Sequence, residues 1–156
     1  MTNIAKIEKW LNKNGWTLNW SQKSEADSDG NVVNIHPLLG RKYKLYTLLH
    51  ETGHVIVYKD NFLKNFKDVN IGDNVDERHS KSLIFRYKKI IEEISAWESG
   101  YKLALQLKIR ISKRAYDKYA ATCVHSYIRC VADTNIGYHK WTRKLSRAQK
   151  KVKRKK

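Results

Sequence analysis

Apolar positions recur with two different periods along the first 58 residues. Ile4, Ile7, Trp10 and Leu11 fall three or four apart, which predicts an amphipathic helix over 3–13. Asn14-Gly15 closes it, with the glycine as a left-handed cap. The segments WTLNWSQ (16–22) and VVNIH (32–36) are rich in aromatic and β-branched residues and read as strands. Between them, KSEADSDGN is polar and carries Asp29-Gly30, a hairpin signal that predicts an antiparallel pairing of the two strands. Pro37 ends the second strand.

Helical periods dominate the rest. Leu45, Leu48, Leu49, Val55 and Ile56 predict a buried helix from about Lys42 to Tyr58. Residues 59–80 are polar, include Gly72-Asp73-Asn74, and read as a loop with room for a short helix. Leu83, Tyr87, Ile90, Ile94, Trp97, Tyr101 and Ala104 predict a long helix over 81–107, and a further helix is expected over 112–132. The fold class is therefore α+β: a mostly helical single domain (1–140) with a small antiparallel sheet ahead of the second helix. A basic C-terminal tail (141–156) follows as a solvated helix or disordered extension.

Composition sharpens this picture. The 156 residues suit one core, and 41% apolar with 11% aromatic residues excludes a wholly disordered chain. Apolar runs are only a few residues long, which excludes a transmembrane helix, and the N-terminus lacks the apolar stretch of a secretory signal. Two cysteines, Cys123 and Cys130, are too few for a disulfide framework and suit a reducing cytoplasm. The formal charge of +17 is unevenly placed: residues 1–100 carry net +2 and residues 101–156 net +15, with ten Lys/Arg and no acid after His139.

The chemistry is carried by YTLLHETGHVIVY (46–58), which contains H-E-x-x-H as His50, Glu51 and His54. On a helix, positions i and i+4 share a face, so both imidazoles reach one metal ion. Zn²⁺ suits nitrogen ligands, and an open coordination position lets it lower the pKa of a bound water toward about 7. Glu51, beside the first ligand, is placed to take that water's proton and return it to a leaving amine. Two histidines bracketing a glutamate in a Leu/Val helix are costly to bury without a metal.

A catalytic site needs a third protein ligand. The positions three and six beyond His54, where the extended metzincin pattern has Gly and His, hold Val57 and Asp60. The run IIEEISAWESG offers Glu92 and Glu93 instead. On a helical wheel Ile90, Ile94, Trp97 and Tyr101 form one face; Glu93 borders it and Glu92 points almost opposite. Glu93 is therefore the expected third ligand, Glu92 the fallback, and His79 and Asp60 stand further off. The competing reading makes both glutamates solvated partners of Lys88 and Lys89.

The segment NVVNIHPLLGRKYKLYTLLHETGHVIVY followed by EEISAW resembles the gluzincin-like zinc metallopeptidases. Within these it is most similar to the small ImmA/IrrE-like HExxH proteins of bacteria and their phages, over about residues 16–105. E-x-x-A (Glu93 to Ala96) is similar to the gluzincin glutamate motif. The resemblance implies a short sheet before the HExxH helix and a third ligand from a glutamate on a following helix. It also implies hydrolysis of a peptide bond by a zinc-bound water. The strand VVNIH would then hold the substrate by β-augmentation. An electrophilic helper for the oxyanion is expected, with His79, His125, Tyr127 and His139 as candidates.

The basic end interleaves Tyr116, Tyr119, Tyr127, Tyr138 and Trp141 with Lys and Arg, so residues 101–156 suit contact with nucleic acid. The plainer alternative places those aromatics in the core and leaves the cations for solubility or an acidic protein. It lacks apolar anchors for a membrane surface. Cys123, His125, Cys130 and His139 match no paired zinc knuckle, and the cysteines, seven apart, read as core residues. Trp10, Trp16, Trp20 and Trp97 read as core or rim. Two functions follow. The first is a cytoplasmic zinc metallopeptidase, of a bacterium or a phage-infected cell, directed to nucleic acid or nucleic-acid-bound proteins by its basic end. The second is a non-catalytic zinc protein that binds DNA, RNA or an acidic partner.

Overall fold

A computed structural model describes residues 1–60 and 83–132. The elements run α1 (Asn3–Lys13), β1 (Thr17–Trp20), β2 (Glu25–Asp27), β3 (Val32–Ile35), α2 (Arg41–Lys59), α3 (Leu83–Gln106) and α4 (Lys113–Ala132). The expected loop beyond Asp60, His79, the 140/141 boundary, and the basic tail with Tyr138, His139 and Trp141 lie outside the described residues, as does the side chain of Cys130.

The α+β class is as expected, and the helices start and stop where local chemistry dictates. Thr2 caps α1 by accepting from the Ala5 N–H at 3.2 Å, and Gly15 leaves it at φ +79°. Ser112 does the same for α4, accepting from the Ala115 N–H at 3.3 Å.

The sheet differs from the expectation. Its order is β1-β3-β2; β1 pairs with β3 in parallel and β2 pairs with β3 antiparallel, so the sheet is mixed. The Asp29-Gly30 turn is a hairpin, but it joins β3 to β2, a strand inside the segment read as polar loop. Asp27 Oδ1 accepts from the N–H groups of Asp29 and Gly30 at 3.0 and 3.3 Å, which tightens that turn. In β2 only Ala26 is drawn inward, while Glu25 and Asp27 are exposed. A strand with one apolar position leaves no alternating pattern to read.

The second helix is the hub. Tyr46 through Val55 are all buried, enclosed by α1, the sheet and α3. Its contact with α3 is a backbone approach at two glycines. A Cβ on Gly53 would collide with the Ala96 carbonyl, and one on Gly100 with the Leu49 carbonyl. Beside this seam Tyr116 is fully buried, its hydroxyl donating to the Trp97 carbonyl at 3.0 Å. Its ring meets Tyr46 and Trp97 edge-on at 5.2 and 5.3 Å. Among the described residues no helix is long and apolar enough to cross a membrane.

Candidate metal centre

The close α2–α3 seam brings four carboxyl and imidazole side chains together in the interior. His50 and His54, one turn apart on α2, face each other with their Nε2 atoms 3.3 Å apart. From α3, Glu93 meets both: Oε2 lies 3.2 Å from Nε2 of His50 and Oε1 lies 3.5 Å from Nε2 of His54. Glu51 is buried beside them, and a ligand atom of each of His50, Glu51 and His54 falls within 4.8 Å of the others. Trp97 stacks on the His50 ring at 4.1 Å and 14°, fixing it by packing.

This donor set fits zinc. With bonds of about 2.0–2.1 Å, two ligands at a tetrahedral angle lie about 3.3 Å apart. The three separations among His50, His54 and Glu93 are 3.2, 3.3 and 3.5 Å. Glu93 Oε2 is buried without an acceptable hydrogen bond, despite its nearness to His50. A buried carboxylate oxygen without a well-aligned donor is one that a cation between it and the Nε2 atoms would satisfy.

The electrostatics agree. Burial alone would raise the Glu93 carboxyl, but hydrogen bonding and charge from His50 and His54 hold it well below the usual range. Burial alone would lower His54, yet Glu92 and Glu93 push it up to about 10. The glutamates thus favour positive charge beside them, which a protonated imidazole or a bound cation can supply. Burial also raises the Glu51 carboxyl, opposed by the two imidazoles, which makes it a better proton acceptor than a solvated glutamate.

The second glutamate corrects the wheel. Glu92 does not point away: it is 3% exposed, as buried as Glu93 at 5%. The buried stripe of α3 is Glu92/Glu93, Ala96/Trp97, Gly100 and Leu103/Ala104, whereas Ile94 and Tyr87 are exposed. Nor are the two glutamates solvated lysine partners, although Glu92 does accept from Lys89 at 2.8 Å. Asp60, at the C-cap of α2, is exposed and stands apart from the cluster.

The cluster opens into a cavity of about 210 Å³ lined also by Ser24, Glu25, Ala26, Tyr58, Tyr119 and Tyr127. VVNIH is not the edge that borders it, because β3 lies in the middle of the sheet; the bordering edge is β2. Of the candidate electrophiles, Tyr127 lines the cavity and His125 is exposed on α4 outside its wall. Tyr58 escaped the sequence reading, although its place four residues after His54 puts it on the same helix face. Cys123 is buried against the core, as expected, and Tyr116 and Tyr119 pack there too rather than presenting rings to bases. Compared with known proteins, the chain matches no family model, no curated protein and no solved structure.

Proposed function

We propose that this chain is a zinc-dependent metallopeptidase of the gluzincin kind, with His50, His54 and Glu93 as metal ligands and Glu51 as general base. One observation carries the reading: two Nε2 atoms and both oxygens of a carboxylate from the neighbouring helix converge in a buried pocket, with a second carboxylate alongside. Zinc held there supplies Lewis-acid polarisation of a carbonyl and an activated water at neutral pH. Trp97 keeps the His50 ring in place, and the α2–α3 seam fixes the spacing of the ligands. Glu51 takes the proton of the attacking water and delivers it to the leaving amine. The substrate is a peptide or protein segment that enters along the β2 edge, where Ser24, Glu25 and Ala26 border the cavity. The site of action is the cytoplasm of a bacterium or phage-infected cell.

A second reading, a non-catalytic zinc protein that binds DNA, RNA or an acidic partner, draws on the exposed cations Lys102, Lys108, Arg110, Arg114 and Lys118. With Tyr116 in the core and Tyr119 half-buried against it, such binding would rest on phosphate or carboxylate contacts rather than on stacking by these rings. Elemental analysis of the purified protein decides first. About one zinc per chain, absent from Glu93→Gln, supports the centre; no zinc after dialysis against it removes both readings. Cleavage of unstructured peptides by the zinc-loaded protein, absent in Glu51→Gln, then separates enzyme from binding protein.

A further inference from the structure

Glu92 meets the cluster at a different atom from Glu93. Its Oε1 lies 3.4 Å from Nδ1 of His54, the ring nitrogen opposite the one that faces Glu93 and His50. The same oxygen accepts from the Tyr58 hydroxyl at 3.4 Å, and Oε2 accepts from Lys89 Nζ at 2.8 Å. The carboxylate is thus held by three groups, in a position that is 3% exposed. His54 Nδ1 is itself buried with no closed hydrogen bond, and Glu92 is the acceptor that faces it.

An imidazole that ligates a metal is neutral and carries one N–H, and the partner of that N–H decides which nitrogen keeps its lone pair for the metal. We propose that Glu92 is a positioning residue for the metal centre: it receives the Nδ1–H of His54 and so turns the Nε2 lone pair toward Glu93 and His50. Carboxylate–histidine–metal chains of this type orient the ligand ring and raise its basicity. The two histidines are then fixed by different means. His50, whose Nδ1 has no hydrogen bond, is held by its stack on Trp97; His54 is held by charge. The proposal rests on the zinc reading above and assigns Glu92 a role other than ligand.

The test measures zinc affinity of the full chain by competition with a chromophoric chelator, for the wild type, Glu92→Ala, Glu92→Gln and Glu93→Gln. A ¹H–¹⁵N imidazole spectrum of each zinc-loaded form accompanies it. Glu92→Ala is expected to bind one zinc about 10–100-fold more weakly. Its His54 Nδ1 proton should move upfield and exchange faster. Glu92→Gln keeps the shape and an acceptor oxygen, should fold even if the alanine variant does not, and should show a smaller loss in the same direction. Wild-type affinity and an unchanged Nδ1 signal in both variants would overturn the proposal. So would loss of zinc stoichiometry matching that of Glu93→Gln, which would make Glu92 a ligand. A wild type that takes up no zinc fails at the earlier step and brings down the zinc reading itself.

Discussion

Gly53, between the two histidines of α2, rests directly against the backbone carbonyl of Ala96 on α3, three residues beyond Glu93. The helix that carries two of the proposed ligands and the helix that carries the third therefore meet without intervening side chains. Gly100 against the Leu49 carbonyl repeats the contact one turn further along. This spacing sets how far Glu93 reaches toward His50 and His54.

Gly53→Ala should accordingly damage fold and site together. The added methyl group collides with backbone, which cannot rotate away as a flexible side chain can, so the helices must separate. Overpacking of this kind costs about 1–3 kcal/mol. Thermal unfolding of the metal-free protein should register the loss, and zinc affinity should fall as well. A variant with wild-type melting temperature and zinc affinity would contradict the backbone seam.

Glu51→Gln should separate binding from chemistry. Glu51 lies beside the proposed ligands but is assigned to proton transfer, so the variant should retain one zinc per chain. Its peptide hydrolysis should fall by about 10²–10⁴-fold, the usual contribution of a general base. Loss of zinc in this variant would instead place Glu51 among the ligands.

Zinc should also stabilise the fold, because its proposed ligands come from two helices and are assembled only in the native state. At a free zinc concentration of 100 times Kd, linkage gives about 2.7 kcal/mol. For a domain of this size that amounts to a rise of several degrees in Tm. Calorimetry with and without a chelator measures it, and Glu93→Gln should show little of the shift. Identical melting curves in excess zinc and in chelator would contradict a centre that bridges α2 and α3.

What the sequence reveals and hides follows from the same seam. His50, Glu51 and His54 are legible because helix geometry alone puts positions i and i+4 on one face. The environment of Glu92 is not, because α3 buries small residues, Ala96 and Gly100, that a hydrophobic pattern overlooks. Counting Ile94 as core turns the wheel by about one position, and that residue is 38% exposed. The strand β2 is hidden because its exposed edge is polar, and its pairing makes β3 central rather than an edge. Tyr127 reaches the cavity from α4, and no local signal connects it with a motif more than 70 residues earlier.

The tyrosines around that seam predict loss of stability in alkali. Burial, with a smaller contribution from Cys123, pushes the Tyr119 phenol up from 10.0 to about 12, against the lowering effect of its contact with Thr47. Burial raises Tyr116 further still. Both phenols are neutral in folded and unfolded chains below pH 10, so their full contribution is present there. Above pH 10 the unfolded chain releases protons that the folded one retains, and stability falls as pH rises. The slope reaches about 1.4 kcal/mol per pH unit for each such group, less where solvent reaches the ring. Urea unfolding between pH 8 and 11.5 should show a flat region and then this decline. Tyr116→Phe should lower the plateau by about 1 kcal/mol, through the lost hydrogen bond to the Trp97 carbonyl, and make the decline shallower. A variant with the wild-type slope above pH 10 would mean that Tyr116 ionises as readily folded as unfolded, contrary to its burial.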